Sequence, residues 1–147
     1  MDERTNRVLI LLYAVVSGCV YHISSTLLQG EGSMEKFTLA EVRRLRAQER
    51  TLYHEFLRVP AMSAGVYELG VGDEDPQEPH TEDELYYIVA GGATLRVGER
   101  EIPVEAGSMA YVPAGVTHRF HTIIEDLTVL VFFAPAEYSN RDATVQP

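Results

Sequence analysis

After Pro60 the chain becomes a succession of short apolar segments separated by glycine and proline, and this pattern constrains its fold most. Such segments are typical of β-strands, in which side chains alternate between two faces and Gly or Pro ends each run. Many short strands at even spacing predict an all-β sandwich or barrel. The candidate strands are Met62–Leu69, Leu85–Ala90, Ala93–Val97, Glu101–Val104, Ser108–Val112, Thr117–Phe120 and Leu127–Ala134.

Glycine pairs and prolines also mark the turns and the boundaries of the chain. Gly91-Gly92 and Gly98-Glu99 predict tight hairpin turns between the middle strands. We expect an N-terminal extension over residues 1–33, a helix and lead-in strand over 34–61, the barrel over 62–136, and a C-terminal tail over 137–147.

A short helix is predicted to precede the strands. Thr38 and Glu41 form a capping box, in which each side chain satisfies a backbone N–H that the first helical turn leaves unpaired. Arg43, Arg44 and Arg46 follow on the polar face of this helix. We expect a solvated helix face there, with an anion or partner site as the alternative.

The N-terminal extension contains an apolar run, Val8–Val16, that is too short to span a bilayer as a helix. The sequence Val16-Ser17-Gly18-Cys19 resembles a bacterial lipobox, which makes a lipoprotein or exported protein one alternative. The other is that the natural start is Met34, because residues 29–33 have the composition of a linker. We expect a cytoplasmic protein.

The charge balance excludes several classes of partner. The 147 residues contain 12 Lys and Arg against 22 Asp and Glu, a formal net charge of −10. Nucleic acids and anionic membranes both select basic surfaces, so neither is an expected partner. The single cysteine, Cys19, excludes an internal disulfide framework and a cysteine-rich zinc site.

The acidic residues are concentrated in one stretch. Seven of the thirteen residues from Gly72 to Glu84 are acidic and none is basic. Crowded carboxylates repel one another, so water or a cation must offset their charge. Five of them are expected to be mostly solvated loop charge: Asp73, Glu74, Asp75, Glu82 and Asp83.

The remaining part of this stretch has the composition of a metal site. Glu78, His80 and Glu84 share a parity and can point to one face of a strand. His118 follows a turn rich in Pro and Gly farther along the chain. Two imidazoles with one or two carboxylates suit a divalent transition metal, and two His with one carboxylate is the facial arrangement of non-haem iron sites.

The same two stretches resemble the cupin family of small jelly-roll β-barrels. The residues at the motif spacings are Gly72, Glu78, His80, Glu84 and Gly91 in the first motif, and Gly107, Pro113, Gly115, His118 and Thr122 in the second. Glu78 stands where the family has a histidine, and Thr122 where it has an asparagine. The resemblance implies an all-β fold, a cupin-type jelly-roll barrel with a short N-terminal helix.

The resemblance also implies the ligands of a metal. They are His80, Glu84 and His118, with Glu78 either a fourth ligand or a general base released from the metal. Oxygen ligands are harder than imidazole, so Fe(II) is the favoured metal, with Mn, Ni or Zn as alternatives.

The neighbouring strand residues suggest a pocket for a small molecule. Tyr86, Ile88 and Ala90 share the parity of Glu84 and are expected inside the barrel. Tyr111 and Phe120 lie on adjoining strands, so we predict a substrate pocket lined by Tyr86, Ile88, Tyr111 and Phe120.

Three functions are compatible with such a site. The first is a metal-dependent dioxygenase-type oxidoreductase acting on a small organic molecule. The second is an isomerase, lyase or hydrolase that uses the metal without redox change, with Glu78 as base. The third is a cupin that binds a small ligand and is not an enzyme.

The strand Leu127–Ala134 is apolar on both faces after Thr128, and cupins commonly form dimers, so we expect a homodimer.

Overall fold

The computed structural model describes residues 35–141, in which the chain forms one helix and six strands. They are α1 (Leu39–Glu49), β1 (Tyr53–Val59), β2 (Met62–Leu69), β3 (Asp83–Val97), β4 (Arg100–Glu105), β5 (Met109–Val112) and β6 (His118–Ala134). The predicted all-β class with a short preceding helix is confirmed. The lipobox-like sequence and Cys19 lie outside the described residues. Within residues 35–141, no helix is both long enough and apolar enough to cross a membrane.

The strands form one antiparallel sheet in the order β1-β2-β6-β3-β4, and β5 pairs with β3. The two longest strands, β3 and β6, pair from Asp83 opposite Ala134 to Val97 opposite His118. On its other edge β3 pairs first with β5 and then with β4, so it links both ends of the barrel. The jelly-roll sheet curls around a core whose most deeply buried members include Tyr86, Ile88, Leu95, Phe120 and Val129.

The predicted turn at Gly91-Gly92 is wrong, because β3 continues through both glycines. Gly91 has a φ of 87°, and a Cβ there would lie 2.3 Å from the backbone oxygen of Asp126 on the neighbouring strand. Gly91 therefore permits a close approach of β3 and β6 where their register is irregular. Glycine marks such bulges as well as turns, so the residue type alone did not distinguish the two. The turn predicted at Gly98-Glu99 is confirmed.

The same irregularities correct two further expectations. Ala90, predicted to face the interior, is exposed, because the register shifts between Ile88 and Ala90 and reverses the alternation of side chains. The segments Thr117–Phe120 and Leu127–Ala134, predicted as separate strands, belong to the single strand β6.

The helix is attached to the sheet by charge as well as by packing. The capping box of Thr38 and Glu41 is present, and Val42 is the buried residue of the helix. Arg43 and Arg46 both form ion pairs with Glu68 of β2. The predicted solvated face is confirmed for Arg43 and Arg44, which are exposed, and only Arg46 is partly buried.

The chain after β6 returns across the barrel and is held there by Glu82. This side chain is 1% exposed, and its carboxylate accepts hydrogen bonds from the backbone N–H groups of Tyr138 (3.0 Å) and Asn140 (2.8 Å). The hydroxyl of Thr81 donates a third at 2.8 Å. Burial raises the pKa of Glu82, but these donors outweigh it and the pKa is lowered. Glu82 is thus a structural anchor and not the solvated charge that the sequence predicted.

Replacing Glu82 with Gln is expected to lower the free energy of unfolding by about 1–3 kcal/mol, because hydrogen bonds to an ionised acceptor are lost. Urea denaturation at neutral pH followed by circular dichroism measures the change. The control is Glu74→Gln, an exposed carboxylate of the same acidic stretch. Equal stability of the two variants would show that Glu82 does not anchor the C-terminal segment.

Candidate metal centre

Three chain segments bring their side chains together in the barrel. Glu84 lies near the start of β3, and His118 is the first residue of β6. His80 lies in the loop before β3, and its backbone oxygen accepts a hydrogen bond of 2.7 Å from the N–H of Gly115. The two stretches that resemble the family motifs are therefore joined by a main-chain hydrogen bond.

The side chains of His80, Glu84 and His118 converge. Each offers one ligand atom, and these atoms all lie within 4.8 Å of one another. In the part of the chain that the structure describes, no other His, Cys, Asp and Glu side chains form such a group. Glu84 and His118 are each 2% exposed, so the group is enclosed by protein.

The chemistry of this group fits a cation. Nε2 of His118 lies 2.9 Å from Oε2 of Glu84, yet neither buried atom has a hydrogen-bond partner of acceptable geometry. Buried polar atoms without partners are unfavourable, and a metal ion accepting both lone pairs would remove that cost. Two nitrogen donors and one carboxylate oxygen are a ligand set that divalent transition metals accept.

Neighbouring groups orient both imidazoles. Nδ1 of His118 lies 2.7 Å from the backbone oxygen of Val116 and donates to it, which leaves the Nε2 lone pair for the group. Nδ1 of His80 lies 3.3 Å from Oε1 of Glu137, a buried carboxylate that fixes the ring. Burial lowers the pKa of His118, but the carboxylate of Glu84 and the Val116 carbonyl raise it more, so the net shift is upward.

Glu78, predicted as a ligand or a base, does not join the group. It is exposed and lies on the wall of the adjoining cavity. Strand alternation would point Gln77 to the face opposite Glu78, yet Gln77 accepts a hydrogen bond of 2.9 Å from the hydroxyl of the buried Tyr86. Parity fails here because residues 74–80 form an irregular loop and not a strand.

Asp75 holds this loop against the barrel. Its carboxylate accepts hydrogen bonds from the hydroxyl of Tyr67 at 2.6 Å, the side-chain amide of Gln77 at 2.7 Å, and the N–H of Phe120 at 2.7 Å. On the other side of the site, Asp83 accepts one of 3.0 Å from the N–H of Ala114. Asp75 was expected to be solvated and is instead half-buried, whereas Asp83 is exposed as predicted. Both carboxylates hold loops that carry residues of the site.

The cavity beside the group has a volume of about 380 Å³, the size of a small-molecule site. Its walls combine apolar, aromatic and charged side chains: Leu52, Tyr53, Tyr67, Pro76, Gln77, Glu78, Pro79, His80, Glu84, Val131, Phe133, Glu137, Tyr138 and Arg141.

None of the four residues predicted to line the pocket is on this wall. Tyr86, Ile88 and Phe120 are fully buried in the barrel core, where the rings of Tyr86 and Phe120 lie 5.0 Å apart. Tyr111 is 59% exposed because it alternates outward on β5. Strand parity predicts which face of the sheet a side chain lies on. It does not predict whether that side chain fills the core or reaches the cavity.

The residues that sequence analysis missed come from outside the two motif stretches. Tyr53 lies on β1, Val131 and Phe133 near the end of β6, and Glu137 and Tyr138 in the segment that follows. The alternation of Val131 and Phe133 in the closing strand was a signal available in the sequence. No local pattern marks Glu137 or Tyr138, whose positions depend on the anchor at Glu82.

The barrel matches the family model described as Cupin domain over residues 65–133. An uncharacterized protein of Streptomyces coelicolor is 48% identical over 104 residues, which are 71% of this chain and 99% of that protein. Acireductone dioxygenase 3 of Arabidopsis thaliana is 29% identical over 85 residues, which are 54% of this chain and 43% of that enzyme. The chain thus matches less than half the length of the plant dioxygenase.

A solved structure from Thermus thermophilus is similar to this chain. Its TM-score with this chain is 0.56 at 25% sequence identity, and the match covers 70% of this chain and 99% of that one.

Substituting His118 with Ala is expected to weaken cobalt(II) binding at least about 100-fold, because a direct ligand is lost from a set of three. Titration of the apoprotein with cobalt(II), followed by visible absorption, measures the affinity. Glu78→Gln is the matched control, and we expect its affinity to stay within about threefold of the wild type. An equally large loss in Glu78→Gln would return Glu78 to the ligand set.

Proposed function

Because the chain belongs to the cupin family, we propose that it is a metal-dependent enzyme of the dioxygenase type that acts on a small organic molecule. The metal is held by His80, Glu84 and His118, and Fe(II) is the favoured ion. The observation that carries this proposal is the buried pair of Glu84 and His118, whose facing atoms lack hydrogen-bond partners. Glu84 and His80 also line a cavity of ligand size.

The similarity to a plant acireductone dioxygenase supports the reaction class. The shared 85 residues are 29% identical. Cupin barrels host many chemistries, so the site and not the fold has to carry the assignment. Three protein ligands leave coordination positions open, which oxygen chemistry at a non-haem centre requires.

The residues of the chain have separate tasks in this proposal. The bound metal would supply Lewis-acid and redox chemistry at the open positions. His80, Glu84 and His118 bind it, and Glu137 keeps the His80 ring in place through the 3.3 Å contact. Val131 and Phe133 give the cavity an apolar wall, which limits water around the reacting molecule.

Glu78 carries the catalytic role in the alternative function. It lies on the cavity wall and outside the convergent group, so its carboxylate is available to accept a proton from a bound molecule. This location favours a non-redox isomerase or lyase as the second candidate, with the same metal acting as a Lewis acid.

The reaction class is tested by metal content and oxygen uptake. We expect protein purified without chelators to contain close to one iron per chain. On reconstitution with Fe(II), it should consume oxygen with at least one of a panel of ene-diols, catechols, diketones and thiols. Elemental analysis and an oxygen electrode measure both.

Two results separate the candidates. Bound zinc or manganese without oxygen uptake, together with turnover that falls in Glu78→Gln, would replace the dioxygenase with the non-redox enzyme. A wild-type chain that binds a small ligand without any metal would leave only the non-enzymatic binding protein.

We also propose a homodimer, formed by the outer face of β3, β5 and β6, and a cytoplasmic location. On that face Leu85 is 42% exposed, Tyr111 59% and Met109 72%. Register places Leu85 beside Tyr111 and Tyr87 beside Met109, so the apolar side chains are neighbours. Contiguous exposed apolar surface is typical of interaction sites.

The double substitution Met109→Glu, Tyr111→Glu is expected to shift the mass measured by light scattering from a dimer to a monomer, because charge would be buried at the interface. The control is Ile124→Glu, an exposed apolar residue elsewhere on β6 that is 70% exposed. A monomeric wild type would contradict the proposed dimer, and cell fractionation tests the location.

A further inference from the structure

We propose that Tyr53 is a substrate-binding residue whose hydroxyl donates a hydrogen bond to an oxygen of a small, metal-chelating organic ligand. This inference rests on the proposed function of the same site. It adds a residue that lies outside the segment matched by the family model, which begins at residue 65.

Tyr53 lines the cavity, and its buried hydroxyl has no hydrogen-bond partner among the described residues. Glu84 and Glu137 line the same cavity. Tyr67 and Tyr86, which also lie near the site, differ from Tyr53 in this respect. Tyr67 donates to Asp75 at 2.6 Å, and Tyr86 donates to Gln77 at 2.9 Å.

A buried hydroxyl without a partner is unfavourable, so its position calls for an acceptor from outside the chain. The fold holds the ring in place despite that cost. Tyr53 stands opposite Tyr67 in the pairing of β1 with β2, and its ring lies over the backbone of Gly65. A Cβ at Gly65 would lie 2.1–2.5 Å from atoms of the ring, so only glycine gives the ring this place.

The surroundings make this hydroxyl a donor. Burial raises the pKa of Tyr53, and the negative charges of Glu137 and Glu84 raise it further, so the phenol keeps its proton. Carboxylates of the cavity can attract the cation but repel the oxygens of a ligand. A neutral O–H group among them therefore provides a hydrogen atom that a ligand oxygen can approach.

The combination narrows the class of ligand. A volume of about 380 Å³ accommodates a small molecule, the metal favours oxygen chelators, and Tyr53 adds a donor for a ligand oxygen. Diols, ene-diols and hydroxy acids have these properties, and an amine ligand without an oxygen acceptor does not.

The test uses nitrocatechol, a chelating diol whose visible absorption changes on binding to a metal. The full chain is loaded with cobalt(II), and nitrocatechol is titrated into the wild type and Tyr53→Phe. We expect the substitution to weaken nitrocatechol about tenfold, as the loss of one hydrogen bond from a charged or polarised acceptor does, while cobalt affinity changes less than about twofold.

The unfolding temperature of Tyr53→Phe provides a second measurement. If the hydroxyl had a structural role, its removal would lower this temperature. Because the hydroxyl has no partner in the protein, we expect Tyr53→Phe to unfold at the same or a higher temperature than the wild type. Tyr67→Phe is the matched control. It removes a hydroxyl bonded to Asp75, so its unfolding temperature should fall, unlike that of Tyr53→Phe.

Gly65→Ala tests the position of the ring. We expect it to weaken nitrocatechol as much as Tyr53→Phe does, and to add no further loss when combined with Tyr53→Phe, since both act through the same hydroxyl.

The outcomes distinguish this inference from the proposed function. Cobalt binding with unchanged nitrocatechol affinity in Tyr53→Phe would overturn the role of Tyr53 and leave the metal site intact. Cobalt binding without any nitrocatechol binding in the wild type would overturn the ligand class. A wild type that binds no cobalt would refute the metal site on which both proposals depend.

Discussion

The structure depends on how it distributes the carboxylates of one acidic stretch. Buried carboxylates are tolerated only where donors surround them, and the main chain supplies most of these donors. The buried Glu82 accepts from the segment after β6, and the half-buried Asp75 accepts from β6 itself. The exposed Asp83 accepts from the turn before β6. Repulsion is avoided because neighbouring acids point to different partners. Hydrogen bonds to the acidic stretch thereby hold parts of the chain that are distant in sequence close together.

Glu84 is the exception that defines the site. It is as buried as Glu82, but its neighbour across 2.9 Å is an imidazole nitrogen whose geometry does not make a hydrogen bond. Stability alone would favour giving this carboxylate a backbone donor, as the chain does for Glu82. The carboxylate of Glu84 has no backbone donor and lies next to two oriented histidines. This arrangement is better explained by the binding of a cation than by packing.

Local sequence patterns predicted an element correctly where the pattern is compatible with a single structure. The capping box predicted the helix start at Thr38, and alternation predicted β2 with its observed limits. Motif spacing selected His80, Glu84 and His118, which the fold brings together. The sequence did not predict the structure where one residue type occurs in two different structural contexts. Gly91 permits a close approach of strands rather than a turn, and that depends on Asp126, thirty-five residues away.

Strand parity failed for a related reason in the cavity. Parity places Tyr86 and Ile88 inside, and they are inside, but they fill the core. The walls of the cavity come from β1, from the end of β6 and from the segment that Glu82 anchors. Tyr53, Glu137 and Tyr138 all lie beyond the 65–133 segment that matches the family model. The motif spacing of a cupin barrel therefore supplies the candidate metal ligands, whereas the flanking segments supply much of the cavity wall. Two chains can share the first and differ in the second, so the flanking segments, and not the motifs, should govern which molecule each one accepts.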